Sequence, residues 1–204
     1  MDAYHAAIAD RDSRPHQARA AARGSFRYVC QAYYASATFK ALDIGTKARL
    51  AMAIMLYTAC RREDAVRLGP QHIRDGRIQY VQAKNEHRNP IAMDIPLDPD
   101  LATIIEATPS RHLTFLVTDY GRPFTPAGFG NLFKDWCRQA DLPHCWAHGL
   151  RKATAVRLAE RGATAHEIMA ITGHRSLEEV TRYTRAARQA HLADSAMAKL
   201  KGER

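Results

Sequence analysis

The chain has 204 residues, 46% of them hydrophobic and 25% charged, enough for one well-cored globular domain with a small appendage. Its formal charge of +9 favours a polyanionic partner, nucleic acid before a membrane surface. Four scattered cysteines (Cys30, Cys60, Cys137 and Cys145) without a C-x-x-C pair argue against a disulfide framework or zinc site and for a reducing cytoplasm, and no apolar run reaches the length of a membrane span.

Residues 1–24 are polar, rich in alanine and arginine, and broken by Pro15 and Gly24, so they read as a mobile arm or frayed helix. They lack the apolar core of a secretory signal, and Asp2, Asp10 and Asp12 argue against a transit peptide. From Phe26 to Leu42 aromatic residues recur at helical spacing, predicting a short amphipathic helix. After Gly45 and Thr46 a stronger helix is predicted from Lys47 to Tyr57, with Leu50, Ile54 and Tyr57 on one face. The same phase continues through Arg61, Ala65 and Leu68. An arginine in line with an apolar stripe either snorkels outward or marks a break near Ala59 and Cys60, with Arg61 held inward.

Asp75 and Gly76 signal a turn. Ile78, Tyr80, Gln82 and Lys84 share one parity of a strand, Asn85 to Pro90 form a polar turn, and Ile91, Met93, Ile95 and Leu97 alternate with Ala92, Asp94 and Pro96. This predicts a β-hairpin with Lys84 near its tip, in which Pro96 fits only an edge or the strand's end. Phe115 to Val117 has the composition of a short strand; the loop 119–123 follows, then a predicted helix from Pro126 to Ala140. From Ala147 the chain reads as short helices, with capping boxes at Thr164/Glu167 and Ser176/Glu179 and stops at Gly162 and Gly173. Ala186 to Leu200 reads as a last helix, with Leu192, Ala196 and Leu200 in phase.

Taken singly, the polar residues have ordinary explanations. Arg61 can be a surface arginine, Lys84 a solvated hairpin lysine, His148 and Arg151 one solvated helix face, His174 a C-capping histidine, and Tyr183 a core aromatic. Together they form the parts of a metal-free attack on a phosphodiester, which needs a nucleophile, cationic donors for the phosphoryl oxygens and an acid for the leaving alkoxide. Tyrosine suits a reversible covalent link, because its aryl ester keeps the bond energy and a later hydroxyl can expel it. The guanidinium fork of arginine matches phosphate oxygens, and a lysine or histidine can supply the proton.

The segments YTACRREDAVRL (57–68), VQAK (81–84), FLVTDYGRPFTPAGFGNLF (115–133), AHGLRKATA (147–155) and ITGHRSLEEVTRYT (171–184) resemble, in that order, the catalytic domain of the tyrosine recombinase (phage integrase) family. The His-x-x-Arg box, the Gly-His turn and a tyrosine nine residues after that histidine form a specific signature. The resemblance runs from Thr46 to about Ala190 and implies the family's catalytic-domain fold, mainly α with a small antiparallel β-sheet, over 46–204. By position, Arg61 and Arg151 resemble the two clamp arginines, and Asp64 the acidic residue that braces the site. Lys84 resembles the lysine that protonates the 5′-oxygen, His148 the general acid/base, and His174 the histidine bonded to the scissile phosphate. Tyr183 resembles the nucleophile that forms a 3′-phosphotyrosine. No cofactor or metal is expected, since protein cations take the metal's place.

Two departures bear on this. Ala59 stands where the family commonly has glycine, which implies a different turn before Arg61. Residues 24–45 resemble only the opening helix of the family's core-binding domain, so 1–45 are expected to be a remnant, with fewer phosphate contacts and weaker salt dependence. The resemblance implies a site-specific recombinase or integrase acting on double-stranded DNA, with the C-terminal helix docking on a second copy. The alternatives are a non-cleaving DNA-binding remnant, whose basic helices around Lys152 to Arg161 sit on DNA, and type IB topoisomerase-like strand relaxation. The Gly-His-x₈-Tyr form and the small size favour the recombinase.

Overall fold

The computed structural model describes residues 46–84, 86–108, 110, 112–184, 193, 196–198 and 200. The expected arm and short helix of 1–45, and most of the expected last helix over 186–200, lie outside the described residues.

Helix α1 spans Lys47–Thr58 and is capped by Thr46, whose Oγ1 accepts from Arg49 N–H. Every residue from Leu50 to Leu56 is buried, so α1 is apolar all round and forms the centre of the core. It stops where Thr58 Oγ1 donates to Ile54 O at 2.7 Å and accepts from Cys60 N–H at 3.2 Å. Ala59 then takes left-handed backbone, φ 50°, and the chain restarts as α2, Arg62–Ala65. The stripe that runs from Leu50 to Arg61 is therefore two helices, and the break falls at Ala59. The alanine expected to alter this turn instead adopts the left-handed conformation that glycine would take.

A 3₁₀ turn at Pro70–His72 leads into a three-stranded antiparallel sheet in the order β1 (Ile73–Arg74), β2 (Arg77–Val81), β3 (Ala92–Pro96). Ile78 pairs with Ile95 and Tyr80 with Met93, and all four side chains are buried. This is the predicted hairpin, with Pro96 ending β3. Strand β1 carries no alternation of its own; it is added through the Asp75–Gly76 turn, where both residues have positive φ. Phe115 to Val117 does not form the expected strand. Val117 makes one isolated bridge with Pro123, while Phe115 and Leu116 fill the core.

Helix α3, Pro99–Ala107, has no counterpart among the predicted elements, although Asp98 caps it by accepting from Asp100 N–H and Pro99 opens it. Helix α4 covers Pro126–Gln139, α5 Ala147–Glu160, α6 Ala165–Thr172 and α7 Leu177–Thr184. The capping box at α6 forms in both directions between Thr164 and Glu167. At α7, Ser176 Oγ accepts from Glu178 N–H, one residue earlier than a capping box requires.

Helix α1 packs on α3 and α5, α2 on α4, and α6 on β3. Ala155 and Ala159 of α5 meet Ile168 of α6 and Val180 of α7 in a smaller second cluster. Thr154 Oγ1 of α5 donates to Leu56 O of α1 at 2.7 Å, fixing how far α5 slides along α1. The molecule is thus mainly α with a small antiparallel sheet, and among the described residues no helix is long and apolar enough to cross a membrane. Cys60, Cys137 and Cys145 are buried thiols.

Candidate active site

Asp64 is buried on α2, where one oxygen accepts from Arg61 N–H at 3.2 Å and the other from Ala83 N–H at 2.7 Å. A single carboxylate so ties the entrance of α2 to the residue before Lys84. Burial pushes the Asp64 carboxyl up, against the two backbone donors and the Arg61 charge that pull it down.

Arg151, on α5, is 2% exposed and heads the largest fully buried side chains among the described residues. Its Nη1 donates at 2.9 Å to Ala59 O, the carbonyl presented by the left-handed turn that precedes Arg61. A guanidinium keeps its charge at any depth, and burying that charge is costly, so the site holds a fixed positive potential that an anion would relieve.

Gln82 links the remaining parts. Its Oε1 accepts from Arg61 Nη1 at 2.5 Å, and its Nε2 donates to Thr172 O at 3.1 Å, at the end of α6. Gly173 follows with φ 68°, and its N–H donates to Met169 O at 2.7 Å. A Cβ at Gly173 would overlap Gln82 Nε2 and lie 2.8 Å from Met93 Sδ, so this glycine is required by conformation and by space alike. Gln82 was not among the predicted site residues. The signal was there: a polar residue on the inward parity of Ile78 and Tyr80, where burial demands partners.

His174 follows Gly173, and its Nδ1 lies 2.7 Å from Thr172 Oγ1. Burial lowers its pKa to about 4, and Arg151, Arg61 and His148 add to the effect in that order. His148, on the first turn of α5, is also pushed down, by partial loss of water first and then by Lys152, Arg151 and Arg61, with Glu63 opposing. The same two guanidinium charges act on both imidazoles. Arg61, Arg151, His148 and His174 therefore share one neighbourhood, although they come from segments far apart in the chain.

Lys84 lies past the end of β2, exposed, in the turn rather than on the ladder. That turn is held from three sides: by Asp64 on Ala83 N–H, by Arg67 on both Glu86 oxygens at 2.8 and 3.1 Å, and by Arg175 Nη2 on Asn89 O at 2.9 Å. The backbone of Tyr183 belongs to α7, which packs on α5 and α6; its side chain lies outside the described residues. Among the described residues, no group of three or more His, Cys, Asp or Glu is placed to hold a metal ion.

The sequence profile of the phage integrase family matches residues 31–190. A shufflon-specific DNA recombinase from Escherichia coli is 31% identical over 134 residues, which is 64% of this chain and 33% of that protein. The chain thus spans about a third of the curated relative it matches. Among solved structures, XerH site-specific recombinase in a post-cleavage complex with a palindromic difH substrate aligns with TM-score 0.58 at 16% identity, covering 86% of this chain and 51% of that one. A lambda integrase dimer bound to a COC′ core site aligns with TM-score 0.56 at 20% identity, covering 90% and 69%. At such identities the structural likeness is one of fold.

Proposed function

The chain belongs to the phage integrase family, and from that premise we propose that it breaks and rejoins strands of double-stranded DNA as a site-specific recombinase. In this reading Arg61 and Arg151 hold the non-bridging oxygens of the scissile phosphate, with His174 as a further donor. The Tyr183 oxygen attacks phosphorus, a P–O bond forms, and the bond to the 5′-oxygen breaks. Lys84 gives its proton to the departing alkoxide, and His148 serves as general acid/base near the nucleophile. A 5′-hydroxyl then attacks the 3′-phosphotyrosine, restores the phosphodiester and frees the enzyme. We further propose residues 46–204 as the catalytic unit, 1–45 as the arm and remnant of a core-binding domain, assembly of copies on DNA through 186–200, and a place in the cytoplasm with the DNA.

The observation that carries this reading is the chain of buried and half-buried contacts that ties Arg151 to Ala59, Arg61 to Gln82 and Gln82 to Thr172, gathering two permanent cations beside two imidazoles whose pKa values are lowered. Such a group holds a monoanion well and developing negative charge better. The exposed cations Lys152, Arg157 and Arg161 along α5 supply a basic surface outside it.

The test is a pool of nicked suicide duplexes of randomised sequence, incubated with the protein and resolved in SDS. An SDS-resistant protein–DNA adduct that disappears in Tyr183→Phe supports strand transfer. Salt-sensitive binding without an adduct would favour a DNA-binding protein that does not cleave. Relaxation of supercoiled plasmid would favour topoisomerase-like action.

A further inference from the structure

We propose that Thr172 is a positioning residue that fixes His174 as its Nδ1–H tautomer, so that the imidazole grips a phosphate oxygen only after taking up a proton. The Thr172 hydroxyl has one hydrogen and two close neighbours: its Oγ1 lies 2.7 Å from Ile168 O and 2.7 Å from His174 Nδ1. A carbonyl oxygen only accepts. The hydroxyl hydrogen therefore lies toward Ile168, since any other placement presses two oxygen lone pairs together at hydrogen-bond distance. Toward His174 the threonine is then the acceptor, and Nδ1 carries the hydrogen. Thr172 is wholly buried, so its hydroxyl has no water to bond in place of these two neighbours.

The second ring nitrogen follows from this. In the neutral ring Nε2 has no hydrogen and would present a lone pair to an anion. A proton from solvent on Nε2 makes the ring an imidazolium, and the repulsion becomes a charge-assisted hydrogen bond to the phosphate oxygen. Among the described residues, charged and titratable groups acting on His174 include Arg61 at the start of α2 and Arg151 and His148 on α5, while Gln82, neutral, holds the Thr172 carbonyl from the β2 side. With burial, these hold the ring neutral at physiological pH. A phosphate seated between the guanidiniums supplies the opposite charge and reverses the balance. Proton uptake rests on the proposed reading of this site as a phosphate seat; the tautomer does not.

The tautomer is read directly from long-range ¹H–¹⁵N correlations of the full ¹⁵N-labelled chain without DNA, with His174 assigned through His174→Gln. At neutral pH the wild-type ring is expected to show a protonated Nδ1 and a bare Nε2. Thr172→Val is expected to move the hydrogen to Nε2, and Thr172→Ser to keep it on Nδ1. A wild-type ring with its hydrogen on Nε2 overturns the proposal whether or not the variants fold, and so does a Thr172→Val ring that stays Nδ1–H. Inorganic phosphate is expected to raise the His174 titration midpoint by about one pH unit or more; a midpoint that ignores phosphate overturns the proton-uptake half. Failure to form a Tyr183 adduct would sink the strand-transfer reading and leave the tautomer result standing. An Nε2–H ring in a protein that does form the adduct would do the reverse.

Discussion

Two parts of the candidate site are built on opposite principles. The part that holds the two guanidiniums rests on buried bonds between side chains and backbone: Arg151 to Ala59 O and Gln82 to Thr172 O. The turn that carries Lys84 is exposed and hangs on Asp64 from inside and on surface contacts from Arg67 and Arg175 outside. Buried polar bonds are expensive to leave unmade, so they fix a geometry; exposed ion pairs contribute little and are screened by salt. The two guanidiniums proposed to meet developing charge are thus preorganised, and the proposed proton donor sits on the more compliant element.

The largest effect should come from the rigid part. Arg151→Ala is expected to slow adduct formation by about 10²–10³-fold, the usual cost of removing one donor at developing charge. Single-turnover rates on suicide duplexes check this, and a loss under tenfold would break the contrast. Gly173→Ala strains a left-handed residue and drives a methyl into Gln82, so denaturant unfolding should show a loss of about 3 kcal/mol.

A smaller effect is expected at the compliant part. Arg67→Ala and Arg175→Ala should each slow cleavage by no more than about tenfold, in keeping with exposed contacts, and the loss should shrink as salt rises. The deficit should vanish on substrates with sulfur at the 5′-bridging position, since a thiolate leaves without a proton. A deficit that persists on the sulfur substrate would detach these arginines from Lys84.

Acid should weaken the rigid part first. The His174 pKa is lowered from 6.5 to about 4 in the fold, so as pH falls the unfolded chain takes up the proton before the native one does. Its contribution to stability is present above about 6.5 and is lost as pH falls toward about 4. Denaturation midpoints across that window should decline, and His174→Gln should flatten the decline. His148 and His72, also lowered, act in the same direction. The smallest change is expected at Tyr80, whose buried hydroxyl has no hydrogen-bond partner among the described residues. Tyr80→Phe should stabilise the fold by about 1 kcal/mol, measured by thermal melting.

The sequence by itself determined much of the molecule. Helical periodicity located α1, period-two alternation located β2 and β3, and Thr164 with Glu167 marked the start of α6. Helices are also expected over 126–140 and, in short pieces, from Ala147, where α4 and the single longer α5 lie. The spacing of the His-x-x-Arg box, the Gly-His turn and the tyrosine carried the family. Only the tertiary structure decided that Arg61 follows a left-handed Ala59, that Gln82 joins α2 to α6, and that Phe115 and Leu116 pack in the core without forming a strand. Periodicity and caps are set by neighbours within a turn or two of the chain. The bonds that arrange the site join residues 90 and 92 positions apart, and a buried polar group's partner is chosen by packing rather than by sequence distance.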